Sequence, residues 1–393
     1  MTEHKQFNVY FKSRSNPLPV GTLSVSDIAA ARPTCYFVYD QAWLDSGFAL
    51  GRDLPLIPKV FETNPRNSLF GFMQDITPGI GARKLHKFVS KKDFTNIELL
   101  AHSQEVLRPG ALGIYESFQP ALQAKQIGPV ALDLERLMMG HINISNIDNL
   151  YSALSALPGE RFKLGFTASK NRNVISKFTL PDPDRNLVHW EAVGLSLAKR
   201  IGLKTVSAEL TSYRGMDALM STRFDRDDEG HPLAFASAQA LLGAAPDSFH
   251  SYLEVADILN EDGSAPTQDL EELWKRMIFN MAVGNVNDRL DNIGFIREDN
   301  GWRLAPIYSV TPTPTPLNRR HHATGVTHDC DAPDLVKAVE VARYFGLKTR
   351  KAQELAHEIT AFCAQNWEKV ASDLQCDPIE MDTMSTAFAK LQR

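Results

Sequence analysis

Short runs of alternating apolar and polar residues open the chain: FNVYF at 7–11, PVGTLSV at 19–25 and TCYFVYD at 34–40. Period-two alternation puts one set of side chains on one face of a strand, so these runs predict a small β meander. The spacing then becomes helical. LFGFMQDITPGIGARKLHKFV at 69–89 carries apolar residues three and four apart and is interrupted by Pro78-Gly79, which predicts a broken helix. ELLAHSQEVLRPGALGIYE at 98–116 reads as a helix, a stop at Arg108-Pro109-Gly110 and an extended stretch. Residues 1–120 are therefore expected to form a β-then-α module.

A second β-rich region follows over 121–230. RFKLGFTAS at 161–169 and NVISKFTLP at 173–181 flank the polar turn Lys170-Asn171-Arg172 and predict a hairpin. HWEAVGLSLAKRIGL at 189–203 has Trp190, Val193, Leu197 and Ile201 on one helical face, with Gly202 as the stop. VSAEL at 206–210 and LMSTRF at 219–224 read as two further strands, giving an antiparallel sheet packed on one helix. From 231 to 393 helices dominate. Leu270, Leu273, Trp274, Met277, Ile278 and Met281 form one continuous stripe, and KAQELAHEITAFCAQNWEKVASDL at 351–374 repeats the pattern. Between those helices, residues 284–310 predict two short strands around an Asp-Asn-Gly turn. The expected class is α+β, with a β-rich part followed by a helical part.

Composition narrows the function classes. The 393 residues are 43% hydrophobic and 23% charged, and 42 Lys plus Arg against 47 Asp plus Glu leave a formal charge of -5. No overall positive field exists to hold nucleic acid or an anionic membrane surface. Apolar runs such as IFNMAVG at 278–284 fall far short of the roughly 20 residues a bilayer span needs. The polar start MTEHKQFNVYFKSRSN lacks the apolar core of a secretory signal, so a cytoplasmic location is expected. Cysteines 35, 330, 363 and 376 show no paired spacing and read as reduced thiols. His321, His322, His328, Asp329, Cys330 and Asp331 are metal-ligating residue types in one stretch. They lack a helical pair of histidines, and a solvated loop is the preferred reading.

Several stretches together carry a resemblance. FVYDQAWLDSGFALGRDLPL at 37–56, ITPGIGARKL at 76–85 and RPGALGIYE at 108–116 come first in the chain. KFTLP with Lys177, WEAVGLSLAKRIGL with Glu191, TRFDR at 222–226, GNVNDRLDNIGF at 284–295 and APIYSVTP at 305–312 follow in order. In these the chain resembles the HipA family, serine/threonine kinases that act as toxins in bacterial toxin-antitoxin pairs. The resemblance implies a two-lobed protein-kinase-like fold preceded by a small N-terminal subdomain, with boundaries at 1–120, 121–230 and 231–393. It also implies ATP and Mg²⁺ as cofactors if the chain is active, with no cofactor as the alternative, and a helix-turn-helix antitoxin of the HipB type as partner, through which DNA would be reached indirectly.

Residue by residue, the resemblance puts Lys177 on the nucleotide phosphates and Glu191 in position to hold that lysine, in line with the electrostatics of phosphoryl transfer. The plain alternative is a strand-edge lysine and a solvated helix glutamate. Lys170 falls where the family has its phosphate-contacting loop, although that turn is poor in glycine here. Thr222 and Phe224 fall at the hinge that meets adenine, while RFDR also reads as a local Arg–Asp pairing.

The departures are as informative. The family's catalytic loop runs Asp-x-His-x-x-Asn, and this chain reads Asn287-Asp288-Arg289-Leu290-Asp291-Asn292. Asn292 keeps a metal-ligand position, but Asn287 stands where the proton-accepting Asp belongs. Ser309 stands where the second metal carboxylate belongs. An amide cannot take a proton, and a hydroxyl is a poor ligand for a hard cation. The expectation is a pseudokinase, or a strongly impaired kinase, that acts through protein binding. The alternative is an active HipA-type kinase in which Asp288 or Asp291 supplies the missing acid. Metal-assisted hydrolysis on the 321–331 cluster has the fewest supporting residues.

Overall fold

The computed structural model describes residues 4–12, 17–26, 32–64, 67–91, 93–102, 107–115, 157–167, 172–178, 185–213 and 216–391. The chain divides into two compact units, residues 1–180 with 212–246, and residues 181–211 with 247–393.

In the first unit, β1 (His4–Phe11), β2 (Leu18–Ser26), β3 (Thr34–Tyr39), β4 (Phe61–Glu62) and β5 (Leu112–Tyr115) form a sheet in the order β4-β3-β2-β1-β5. The expected meander is present, and its register explains its stability. Phe7 pairs with Leu23, Leu23 with Phe37 and Phe37 with Phe61, so one row across four strands is buried. The next row holds Asn8, Thr22 and Val38, and Val38 is 42% exposed. The broken helix is also found, as α2 (Gly71–Ile76) and α3 (Ile80–Ser90) on either side of Pro78. Gly71 is required where it stands. A Cβ there would lie 2.3 Å from the Ala240 carbonyl oxygen of α6 (Ala238–Leu242). Three strands of the second sheet, β6 (Phe162–Thr167), β7 (Asn173–Phe178) and β9 (Met216–Thr222), follow in that order and are antiparallel.

The second unit is mostly helical. Its core is α8 (Pro266–Ala282) against α10 (Thr349–Asp373), with α5 (Leu187–Arg200) packed on α10. The stripe read from the sequence is buried here, Leu273, Trp274, Ile278 and Met281 being at most 2% exposed. Each such side chain contributes about 1.5–3 kcal/mol of burial. α5 belongs with these helices because Trp190 is fully buried beside Trp367 and Phe388. Its indole N–H donates to Glu380 of α11 (Pro378–Met384) at 2.8 Å. α5 accordingly lies in the second unit, which takes in residues 181–211. The hairpin after α8 forms as expected, with β12 (Gly294–Glu298) and β13 (Gly301–Leu304) joined by Asp299-Asn300.

The stretch 321–331 is solvated at His321, His328 and Asp329 but turns inward at two positions. His322 and Thr324 are 5% and 1% exposed, and β14 (Thr324–Gly325) pairs in parallel with β11 (His250–Ser251). His322 and Thr324 hydrogen-bond in the interior, whereas His321, His328 and Asp329 stay exposed as expected.

Candidate functional site

Lys177 lies on β7, between β6 and β9, opposite Lys163 on one side and Leu219 on the other. It is 7% exposed, so the strand-edge reading fails. Ile175 and its cross-strand partner Ser221 share its face, because partners in an antiparallel ladder point the same way. Glu191 is on α5 with no exposed surface, which removes the solvated-glutamate reading as well. Lys170 lies outside the described residues.

Thr222 closes β9 opposite Val174, and Phe224 packs edge-to-face on Phe235 with ring centroids 5.7 Å apart. Around Phe224 the RFDR residues do more than pair locally. Asp225 accepts from Arg223 at 2.7 and 2.9 Å, from Arg226 at 2.9 Å and from the Gly110 N–H at 2.8 Å. Arg223 donates onward to the carbonyls of Leu107 and Arg108, and Arg226 to that of Arg108. Burial by itself would raise the Asp225 pKa, but the two guanidiniums and the amide hold it well below the ordinary carboxylate range. RFDR thus clamps the Arg108-Pro109-Gly110 turn, a contact across 115 residues that no local pattern reveals.

The loop after α8 turns at Gly284, where φ is +64° and a Cβ would meet the Ala387 carbonyl oxygen at 2.7 Å. Asn285 is buried, donates to Asn280 Oδ1 at 3.0 Å and accepts from the Thr311 N–H at 3.3 Å. Asn287 is exposed, and its carbonyl accepts from Asn292 Nδ2 at 3.1 Å. Asp288 points the other way and is 3% exposed. Its Oδ2 accepts from the Tyr252 hydroxyl at 2.8 Å and lies 3.3 Å from His322 Nδ1, and its Oδ1 accepts from the Thr324 N–H at 3.4 Å. Burial, and then the adjacent Asp288 carboxylate, push the Tyr252 phenol well above its usual pKa. Asp291 is half-buried and held in a two-bond pair by Arg289 at 3.0 and 3.1 Å, while its carbonyl accepts from the Tyr308 hydroxyl at 2.7 Å.

A small cavity of about 30 Å³ opens beside this loop, lined in part by Arg276, Asn280, Asn285, Asp288, Asn292 and Ser309. That volume suits one or two waters. Asp288 supplies its only carboxylate, and Arg276 is engaged by Glu272 at 3.0 Å and by the Ala305 carbonyl at 2.8 Å. Sequence reading missed Tyr252, His322 and Thr324 as the residues that fix the loop's acid, since they stand 36, 34 and 36 positions from it. Among the described residues, Asp227, Glu229 and His231 bring three metal-ligating side chains within 4.8 Å of one another, and the 321–331 stretch does not.

An α+β chain with a lysine-bearing internal strand, a helical unit and a polar loop leading into a hairpin has the architecture of a kinase-like protein. Residues 155–367, more than half of the chain, match the HipA-like C-terminal domain, and the chain belongs to that family. It is 29% identical over 312 residues to Y4mE of Sinorhizobium fredii, a protein named as a candidate kinase, covering 70% of this chain and 72% of that one. A Haemophilus influenzae protein also named as a candidate kinase is 27% identical over 158 residues, 35% of this chain and 46% of its own. The structure of HipA from Shewanella oneidensis, determined with HipB and operator DNA, superposes with a TM-score of 0.69 at 15% identity. It covers 98% of this chain and 95% of that one. The kinase-like α+β expectation therefore holds, as does the family resemblance. No helix among the described residues is long and apolar enough to cross a membrane.

Proposed function

We propose that this HipA-family protein is a pseudokinase, or a kinase strongly impaired in phosphoryl transfer, that works by binding a small helix-turn-helix antitoxin of the HipB type. The observation that carries the reading is the direction of the acids in the 287–292 loop. Asn287, in the base position, is exposed and neutral, whereas Asp288 faces inward onto Tyr252, His322 and Thr324, and Asp291 is neutralised by Arg289. Neither neighbouring acid is free to take a substrate proton.

The donor set argues the same way about metal. Mg²⁺ demands hard anionic oxygens, and the positions for it hold the Asn292 amide and the Ser309 hydroxyl. The one carboxylate on the cavity already accepts three hydrogen bonds. These residues do not fit the cation. Lys177, Glu191 and the Thr222–Phe224 turn are kept, which supports weak residual binding of ATP. A net charge of -5 fits a protein that reaches DNA only through a partner, as HipA of Shewanella oneidensis is seen with HipB and operator DNA.

The test is transfer of labelled γ-phosphate from Mg-ATP by the native chain, by Lys177→Ala and by the double variant Asn287→Asp, Ser309→Asp. The expected result is silence from the native chain and a gain of roughly 10²–10⁴ in the double variant, the usual worth of a positioned base. Incorporation by the native chain that disappears in Lys177→Ala would overturn the reading. Binding is tested separately by co-purification with a co-expressed helix-turn-helix protein, and a chain that stays alone at micromolar concentration counts against the partner.

A further inference from the structure

Seven residues at the entrance of α7 (Tyr252–Asp262), Ser248-Phe249-His250-Ser251-Tyr252-Leu253-Glu254, bring together three groups that the kinase reading does not use. Ser248 and His250 are two apart in a stretch leading into β11, a spacing that points side chains the same way. His250 and Glu254 are four apart across the helix start. Ser248 Oγ lies 2.8 Å from His250 Nε2, and His250 Nδ1 lies 2.8 Å from Glu254 Oε1.

Glu254 is held rigidly. It is the third residue of a capping box, so its Oε2 accepts from the Ser251 N–H at 2.8 Å, and His328 Nδ1 approaches the same oxygen at 3.5 Å. One carboxylate oxygen is committed to the helix start and the other is left for His250. Burial raises the Glu254 pKa, but the Ser251 amide and the two histidines outweigh it and keep the group ionised. An ionised acceptor at Nδ1 fixes the imidazole tautomer: the proton sits on Nδ1 and the Nε2 lone pair faces the serine hydroxyl. The backbone of His250 is anchored in turn by its parallel pairing with Thr324. Ser248 is exposed, while His250 and Glu254 are 18% and 21% exposed at their side chains, so the hydroxyl is reachable and its support is sheltered.

We propose that Ser248 is an activated nucleophile, with His250 as its base and Glu254 as the positioning residue, that takes the acyl group of activated carboxylic esters. Ser248 Oγ bonds to the ester carbonyl carbon while its proton passes to His250 Nε2. The bond from that carbon to the leaving alkoxide then breaks, and the proton moves from His250 to the alkoxide, giving the Ser248 ester and a free alcohol. Asn287, Lys177 and the other residues of the phosphoryl-transfer reading take no part, so the two stand or fall separately.

The experiment is brief exposure of the whole chain to p-nitrophenyl acetate, following p-nitrophenol release and locating the acetyl group by mass spectrometry of the peptide carrying Ser248. The expected result is a burst with acetyl on Ser248, slowed roughly 10²-fold or more in His250→Gln, the size usual for a positioned base. Glu254→Gln keeps an oxygen for the capping box but presents the wrong tautomer partner, so acetylation falls while the melting temperature stays. Acetylation of Ser248 at equal rates in the native chain and a folded His250→Gln overturns the proposal, as does a label confined to lysines.

Discussion

Replacing Asp288 by Ala separates a structural acid from a catalytic one. The substitution leaves three buried donors, the Tyr252 hydroxyl, His322 Nδ1 and the Thr324 N–H, without their acceptor. An orphaned buried donor costs about 1–3 kcal/mol. The contacts at 3.3 and 3.4 Å are long, and only the 2.8 Å bond from Tyr252 is short, which places the total at about 3–5 kcal/mol, the range for breaking a buried charged network. That is a large share of the roughly 5–15 kcal/mol by which a domain is stable. The assay is urea unfolding followed by intrinsic fluorescence for the native chain, Asp288→Ala, Tyr252→Phe and the double variant. The cycle is expected to give a coupling of about 1–2 kcal/mol between the two positions, since they share one direct hydrogen bond. A folded Asp288→Ala that loses less than about 1 kcal/mol and abolishes phosphoryl transfer by the native chain would refute the reasoning and make Asp288 the base.

Two further outcomes follow from buried groups. Asp225→Asn strips the charge that compensates Arg223 and Arg226 and is expected to cost about 3–5 kcal/mol by denaturant titration. Because the folded-state pKa of Asp225 is depressed, its contribution is complete above the ordinary carboxylate value and is lost as pH falls below it. The gap between native and Asp225→Asn should therefore be flat above about pH 5 and shrink below about pH 4. Burial pushes the Cys35, Cys363 and Cys376 thiols up to about 12, and Cys330 is the partly exposed one. With a disulfide reagent at pH 8, Cys330 should react first and the other three only as the protein unfolds; rapid labelling of all four in the native state would contradict the burial.

What the sequence made legible was local. Period-two alternation fixes which residues share a face, so the meander and the Phe7, Leu23, Phe37, Phe61 row follow from it, and Pro78 and Arg108-Pro109-Gly110 punctuate the helices where a missing N–H or a positive φ demands. The amide at 287 and the hydroxyl at 309 were equally plain. The side to which Asp288 turns was not, because a run of polar residues carries no period and the choice is made by Tyr252 and His322, far away in the chain. The same holds for α5, whose apolar face is visible in the sequence but whose packing partner is not. The inward turn of His322 and Thr324 was hidden for a related reason: Thr and His mark a loop equally well whether their polar groups meet water or a buried carboxylate.

The first unit is assembled from two pieces of chain, with residues 181–211 spent elsewhere before 212–246 return to complete it. The returning piece brings Arg223, Asp225 and Arg226, which grip Leu107, Arg108 and Gly110, and Ala240, against which Gly71 fits; it also brings β9, the neighbour of β7. A nascent chain that has left the ribosome as far as residue 180 cannot finish this unit, and 66 more residues (246 − 180) must emerge first. At roughly 5–20 residues per second that is a delay of roughly 3–13 s, and β7 keeps an open edge until β9, which ends at Thr222, has emerged. Both units are discontinuous in the chain, so no single cut in its gene yields two pieces that each hold one complete unit.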